Sequence, residues 1–225
     1  MTNHAEPTME RVMTTIEHRE ELSKAQPSTV VHALAAKDAA TVAAMRPMIE
    51  PHRGELQGTG ARQPFDAIME RVTGAEGVTY EHGTVGGIAG WWVRPPSARD
   101  GQVLLYLHGG WFNWGSARAY RNFVGQVATR AGAVAFAPDY RLAPEHPFPA
   151  AVTDVQAAYR GLVQSGARRV AIVGDSAGGA LALVLLSLTH GGSFAGPPPV
   201  GAVLLSPVTD LSMGGESWNM NATSD

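Results

Sequence analysis

Ser176 is the residue in this sequence best placed for covalent chemistry. It stands in Gly174-Asp175-Ser176-Ala177-Gly178-Gly179, after an apolar run from Val170 to Val173 and before a helical pattern from Ala177 to His190. The run reads as a buried strand, and a Gly-x-Ser-x-Gly string between a strand and a helix is the setting of a nucleophile elbow. So tight a turn strains the serine backbone and aims its hydroxyl outward, while Gly174 and Gly178 lack the Cβ atoms that would collide across it. The helix that follows offers unpaired N–H groups and its positive end, which makes the Ala177 N–H a candidate donor to an oxyanion. In a chain with 26 glycines such a string can also arise by chance, or merely cap a helix. A second motif argues otherwise. Leu105-Tyr106-Leu107-His108-Gly109-Gly110 ends another buried run on two glycines, where an oxyanion loop is expected.

These motifs need a scaffold, and the chain after Asp100-Gly101 supplies one by alternating short apolar runs with helix-length segments, the pattern of βαβ units and a parallel sheet. Strands are predicted at Val103 to Leu107, at Ala133 to Ala137 ended by Pro138, at Val170 to Val173 and at Val200 to Leu205. Helices are predicted at Ala117 to Ala131, from about Pro149 to Ser165 with Gly166 as the stop, and at Ala177 to His190. Ahead of them, Val78 to Val93 with its Gly-Gly turn reads as a β-hairpin closed by Pro95-Pro96. Gly54 to Gly60 reads as a loop. In residues 1–50, Met9, Val12, Met13 and Ile16 recur at helical spacing, which predicts one or two amphipathic helices serving as a packed satellite or as a lid.

Four stretches give the sequence a strong resemblance to the hormone-sensitive-lipase-like family of α/β-hydrolases, which includes bacterial carboxylesterases and acetyl hydrolases. They are His108-Gly109-Gly110; the run from Asp139 to Ala150; Gly174 to Gly179; and Leu205-Ser206-Pro207 with Asp210-Leu211. The resemblance covers residues from about 65 to 225. It implies an α/β-hydrolase fold, a mostly parallel sheet flanked by helices, with residues 1–60 as a helical cap region and 61–225 as the core. It also implies cleavage of short- to medium-chain carboxylic esters through an acyl-enzyme on Ser176, with no metal or cofactor. The implied oxyanion donors are the N–H groups of Gly110, Trp111 and Ala177. His108, Gly109 and Asp175 take structural places near the site, and His108 orients the loop without acting as base. Asp139, Arg141 and Glu145 look like a polar scaffold. Where the family has a third glycine this chain has Trp111, followed by Phe112, Asn113 and Trp114. Trp111 can still offer its N–H provided the loop needs no positive φ there. Phe112 and Trp114 either pack the base of the cap or narrow the substrate pocket.

A serine needs an imidazole to take its proton and a carboxylate to hold that imidazole, in the chain order Ser, acid, His. After Ser176 the only histidine is His190, which precedes both Asp210 and Asp225. At about 1.5 Å per residue it lies roughly 20 Å along the helix, too far to be the base. Acid and base are therefore expected outside this sequence, on strands and helices beyond a truncated carboxyl end, and the chain as written is expected to be nearly inactive. Two other readings remain: an arylformamidase or amide hydrolase, and a noncatalytic small-molecule binder.

Composition narrows the field. The formal charge of −3 comes without a basic block, which argues against nucleic acid as a partner. The first thirty residues show no secretory pattern, the longest apolar stretch is too short to span a bilayer, and cytoplasm is the default location. The absence of cysteine excludes disulfides and thiolate sites. The expected partners are a small ester and, through an exposed edge strand at Val200 to Leu205, a second copy of the chain.

Overall fold

The computed structural model describes residues 33–49, 58–190, 196–212 and 214–216. Two compact units, Met1–Arg53 and Gly54–Asp225, divide the chain. In the first, helix α1 (Ala36–Ile49) is described, with Leu34, Val42 and Met45 exposed. Met9, Val12, Met13 and Ile16 lie outside the described residues.

The second unit is built on a six-stranded sheet: β1 (Thr79–Val85), β2 (Ile88–Arg94), β3 (Gln102–Leu107), β4 (Val134–Pro138), β5 (Arg169–Asp175) and β6 (Ala202–Leu205). Their order is β1-β2-β4-β3-β5-β6. β1 and β2 form the expected hairpin. Its turn residues Gly86 and Gly87 hold φ of 60° and 82°, the two positive values that a tight two-residue hairpin turn requires. β2 joins β4 antiparallel, and β4, β3, β5 and β6 run parallel.

Both faces of the sheet are covered along β3, β4 and β5, so these strands are largely apolar instead of alternating with polar residues. Along β3, Leu105 and Leu107 pack on one face with Val155, Tyr159, Leu181 and Leu185, from α4 (Ala150–Gln164) and α5 (Ala177–His190). Leu104 and Tyr106 pack on the other with Tyr120 and Val124, from α3 (Ala117–Ala131). The chain leaves β3 towards β4 over one face and returns from β4 to β5 over the other. The carboxyl ends of β3 and β5 thus flank the point where the winding reverses, the place where open α/β sheets bind ligands.

α3 and α5 have the predicted limits. The Ser116 hydroxyl caps α3 by accepting from Ala119 N, and Gly132, at φ 60°, ends it. Three predictions needed correction. Pro149 is the N-cap of α4 and not part of its first turn, and Pro138 is the last residue of β4. β6 begins at Ala202, because Val200 N reaches back to Val170 O before the ladder forms. Of the loop expected at Gly54 to Gly60, residues 54–57 lie outside the described residues, and Gly58–Ala61 form a 3-10 turn leading into a short helix that had not been foreseen, α2 (Arg62–Met69).

Candidate active site

Because Leu107 pairs with Gly174, the chain leaves β3 and β5 side by side, bringing His108-Gly109-Gly110 next to Asp175-Ser176. Ser176 sits between β5 and α5 at φ 50°, in the left-handed region that costs a non-glycine residue about 1–2 kcal/mol. Its N–H donates to Leu205 O at 2.9 Å, and its carbonyl accepts from Ala180 N and from Val208 N, each at 3.1 Å. The elbow glycines allow this closeness. A Cβ on Gly178 would run into the Leu107 carbonyl, and one on Gly174 would meet Gly178 O at 2.5 Å.

Asp175 ties the elbow to the loop after β3. Its Oδ1 accepts from Gly109 N at 2.9 Å and from the Tyr106 hydroxyl at 2.8 Å, while Oδ2 accepts from the Tyr120 hydroxyl at 3.1 Å. Burial foremost, and then the Asp175 carboxylate beside them, push both phenols far above their ordinary range, so both stay protonated as donors. His108 is buried, and burial lowers its pKa, which keeps the ring neutral. Its Nδ1, 2.8 Å from Gly109 O, carries the proton, since a carbonyl can only accept. The ring stacks on Tyr140 at 4.3 Å, and the Tyr140 hydroxyl donates to His108 O at 2.6 Å.

The loop that follows departs from expectation at one point. Trp111 has φ 53° and Phe112 φ 60°, so the loop does need positive φ where the family's third glycine would stand. Tryptophan was expected to serve only if no positive φ was needed; Trp111 adopts that φ all the same, with strain in the backbone, so its N–H stays a candidate donor. Asn113 N and Trp114 N both donate to Gly110 O, closing the turn. Trp111 lines two cavities. One, of about 430 Å³, also has Gly110, Ser176, Asp175, Trp114 and Phe65 in its walls; the other, of about 280 Å³, has Phe112, Phe148, Leu181 and Leu211.

The run from Asp139 to Ala150 is held by ionic and polar contacts. Asp139 Oδ1 accepts from Ala117 N at 2.8 Å, at the start of α3. Arg141 grips the buried Asp154 with Nε and Nη2, at 2.9 and 2.7 Å. Glu145 is held at about 2, below its usual range, chiefly by the hydrogen bond from Arg62. Asp154 and Arg62 had not been singled out from the sequence. An Asp inside a helix and an Arg far upstream carry no local signature, and only the sheet's crossovers bring them to the loop. Among the described residues no histidine is hydrogen-bonded to Ser176, and no cluster of three or more His, Asp or Glu side chains gathers as a metal site. No helix among them is long and apolar enough to cross a membrane. His190 ends α5, and Asp210, with Oδ1 accepting from Ser212 N at 2.8 Å, closes a turn after β6.

The model of a family described as having the alpha/beta hydrolase fold matches residues 104–225, more than half of the chain. The chain belongs to the α/β-hydrolases, in their hormone-sensitive-lipase-like branch. It is similar to an acetyl-hydrolase of Streptomyces hygroscopicus, 45% identical over 137 residues that make up 60% of this chain and 44% of that protein. It is also similar to the carboxylesterase NlhH of Mycobacterium tuberculosis, 35% identical over 69% of this chain and 48% of that one. Among solved structures it resembles an esterase from the bacterial hormone-sensitive lipase family, with a TM-score of 0.74 and 36% identity over 86% of this chain and 65% of that one. The chain thus spans about half the length of these curated relatives.

Proposed function

We propose that this α/β-hydrolase is built for acyl transfer from small carboxylic esters, with Ser176 as the catalytic nucleophile. The reading rests on one juxtaposition: a left-handed serine at the head of α5, tied through Asp175 and Gly109 to a glycine loop on the neighbouring strand. Ser176 Oγ attacks the ester carbonyl and loses its proton to a base. The carbonyl oxygen becomes an oxyanion, for which the backbone N–H groups of Gly110, Trp111 and Ala177 are the candidate donors. The C–O bond to the alcohol then breaks, the alcohol leaves with the proton, and water releases the acid from the acyl-serine. His108 is a structural residue in this scheme, since its ring is buried against Gly109 O and the Tyr140 hydroxyl and makes no hydrogen bond to Ser176. Phe112 and Trp114 are pocket walls.

With no histidine brought to Ser176 among the described residues, the 225-residue chain is expected to retain only what an oxyanion hole and binding supply, about 10³ to 10⁴ over water. Incubation with a fluorophosphonate, followed by peptide mass mapping, tests the assignment. Slow modification of Ser176 supports it; modification of a different residue overturns it. Saturable ester binding with Ser176 unmodified would favour a noncatalytic binder instead.

A further inference from the structure

Trp111 and Phe112 hold consecutive left-handed conformations without a glycine, so something outside the turn must over-determine them. Inside the protein Asp175 fixes Gly109, one step before Gly110 and the strained pair. Outside, a single side chain on α2 makes four hydrogen bonds. Arg62 Nε donates to Asn113 O at 2.7 Å, Nη2 to Ala143 O at 2.9 Å and to Glu145 Oε2 at 2.6 Å, and Nη1 to Glu145 Oε1 at 2.8 Å. Two of these acceptors flank the bond from Ala143 N to Phe112 O, at 2.9 Å, which joins the loop after β3 to the run after β4. Arg62 therefore bridges the same two segments that the backbone bond to Phe112 joins.

We propose that Arg62 is a positioning residue, which holds Trp111 and Phe112 left-handed and thereby keeps the Gly110 and Trp111 N–H groups in register with Ser176. The inference rests on the proposed acyl transfer for its kinetic consequence and on geometry alone for the clamp. An ion pair with side chains 31% and 51% exposed contributes little to global stability, so the effect of losing it is local. The planar guanidinium matters more than its charge. It presents Nε and both Nη groups in one plane to acceptors from two segments, and a lysine ammonium at the same place cannot span them.

The test compares Arg62→Ala, Arg62→Lys and Glu145→Gln in the 225-residue chain, using amide hydrogen exchange and the rate of fluorophosphonate modification. Arg62→Ala should accelerate exchange at residues 110–114 by about tenfold or more while leaving β3, β5 and α5 unchanged. Modification of Ser176 should slow by about tenfold to a hundredfold, as expected when a misplaced donor set no longer meets the developing charge. Arg62→Lys should behave as Arg62→Ala. Glu145→Gln keeps the bond to Asn113 O and should change both readouts by less than about threefold. Unaltered exchange at 110–114 in Arg62→Ala overturns the clamp, and full rescue by lysine overturns the argument from the fork. Faster exchange with an unaltered modification rate overturns the link to Ser176. If the wild-type chain is not modified at all, the proposed function falls, and the exchange data alone decide whether Arg62 holds the loop.

Discussion

The tips of β5 and β6 each end on a serine in the left-handed region, Ser176 at φ 50° and Ser206 at φ 47°, on adjacent parallel strands. The resemblance ends there. After Ser176 the chain enters α5 at once, and its neighbours are fixed by Asp175 and by the Tyr106 and Tyr120 hydroxyls. After Ser206 come Pro207 and an irregular segment, with Val203 56% and Leu205 39% exposed. A strained serine backbone thus does not by itself single out the proposed nucleophile. What distinguishes Ser176 is a helix N-terminus directly behind it and a glycine loop tied beside it.

The largest expected effect separates the two serines directly. Ser176→Ala should abolish fluorophosphonate modification, while Ser206→Ala should leave it within about twofold, since the chain after Ser206 is irregular and offers no helix N-terminus. Comparable loss in the two variants would mean that the β6 tip takes part in the chemistry.

Next comes the packing beneath each tip. Gly178→Ala would drive a Cβ into the Leu107 backbone, which cannot give way without opening the β3–β5 contact, so a loss of about 3 kcal/mol or more is expected in urea unfolding. At Gly201, at the entry to β6, an added Cβ would meet no atom within 4 Å, and Gly201→Ala should change stability by less than about 0.5 kcal/mol. Equal effects would show that the elbow is not the tighter site.

The two strands also differ in how they are paired. β5 lies between β3 and β6, whereas β6, among the described residues, pairs with β5 alone and leaves Val203 and Leu205 exposed. Bare apolar edges recruit other strands, so the chain should self-associate, and Val203→Lys should shift its solution molar mass towards that of a monomer. A wild-type chain that is monomeric at high concentration would refute the edge argument.

The contrast between the tips explains what the sequence could and could not reveal. Ser176, the strands that carry it, and the limits of α3 and α5 were legible because each rests on local signals: apolar runs, a serine cap, glycine stops. Arg62, Asp154 and the tyrosines on Asp175 were not, because their roles exist only once distant segments meet across the sheet. α2 was missed for a simpler reason: it is eight residues long, follows a glycine-rich stretch and carries a proline in its first turn. The left-handed state of Trp111 was hidden because tryptophan has no preference for it, and only the closure of the turn on Gly110 O reveals it.

A smaller effect is expected from pH. Glu145 is held at about 2, against an ordinary 4.5, by the hydrogen bond from Arg62. A depressed carboxyl pKa contributes in full above the unfolded value and loses its contribution as pH falls through the folded one. Protection of amides 110–114 should therefore stay constant from pH 8 to about 5 and weaken only in more acid solution, and Glu145→Gln should remove that acid-side change. Weakening between about pH 8 and 6 would point to a histidine instead.

The subtlest expected effect lies at Trp111, because this residue lines both the cavity with Ser176 and the cavity with Phe112, Phe148, Leu181 and Leu211. Trp111→Gly removes the shared wall and at the same time supplies a residue that adopts φ near 53° without strain. The lost side-chain contacts and the relieved backbone act in opposite directions, so little net change in stability is expected. Selectivity should move instead: an ester whose acyl chain fills one cavity gains access to the other, and the ratio of octanoate to acetate hydrolysis should rise by about threefold to tenfold, the scale set by a few buried methylenes. The measurement is a competition between the two p-nitrophenyl esters, read against Phe112→Ala, which opens the second cavity without joining the two. If Trp111→Gly leaves the ratio unchanged while Phe112→Ala raises it, the wall between the two cavities is made by the backbone of the loop and not by the indole.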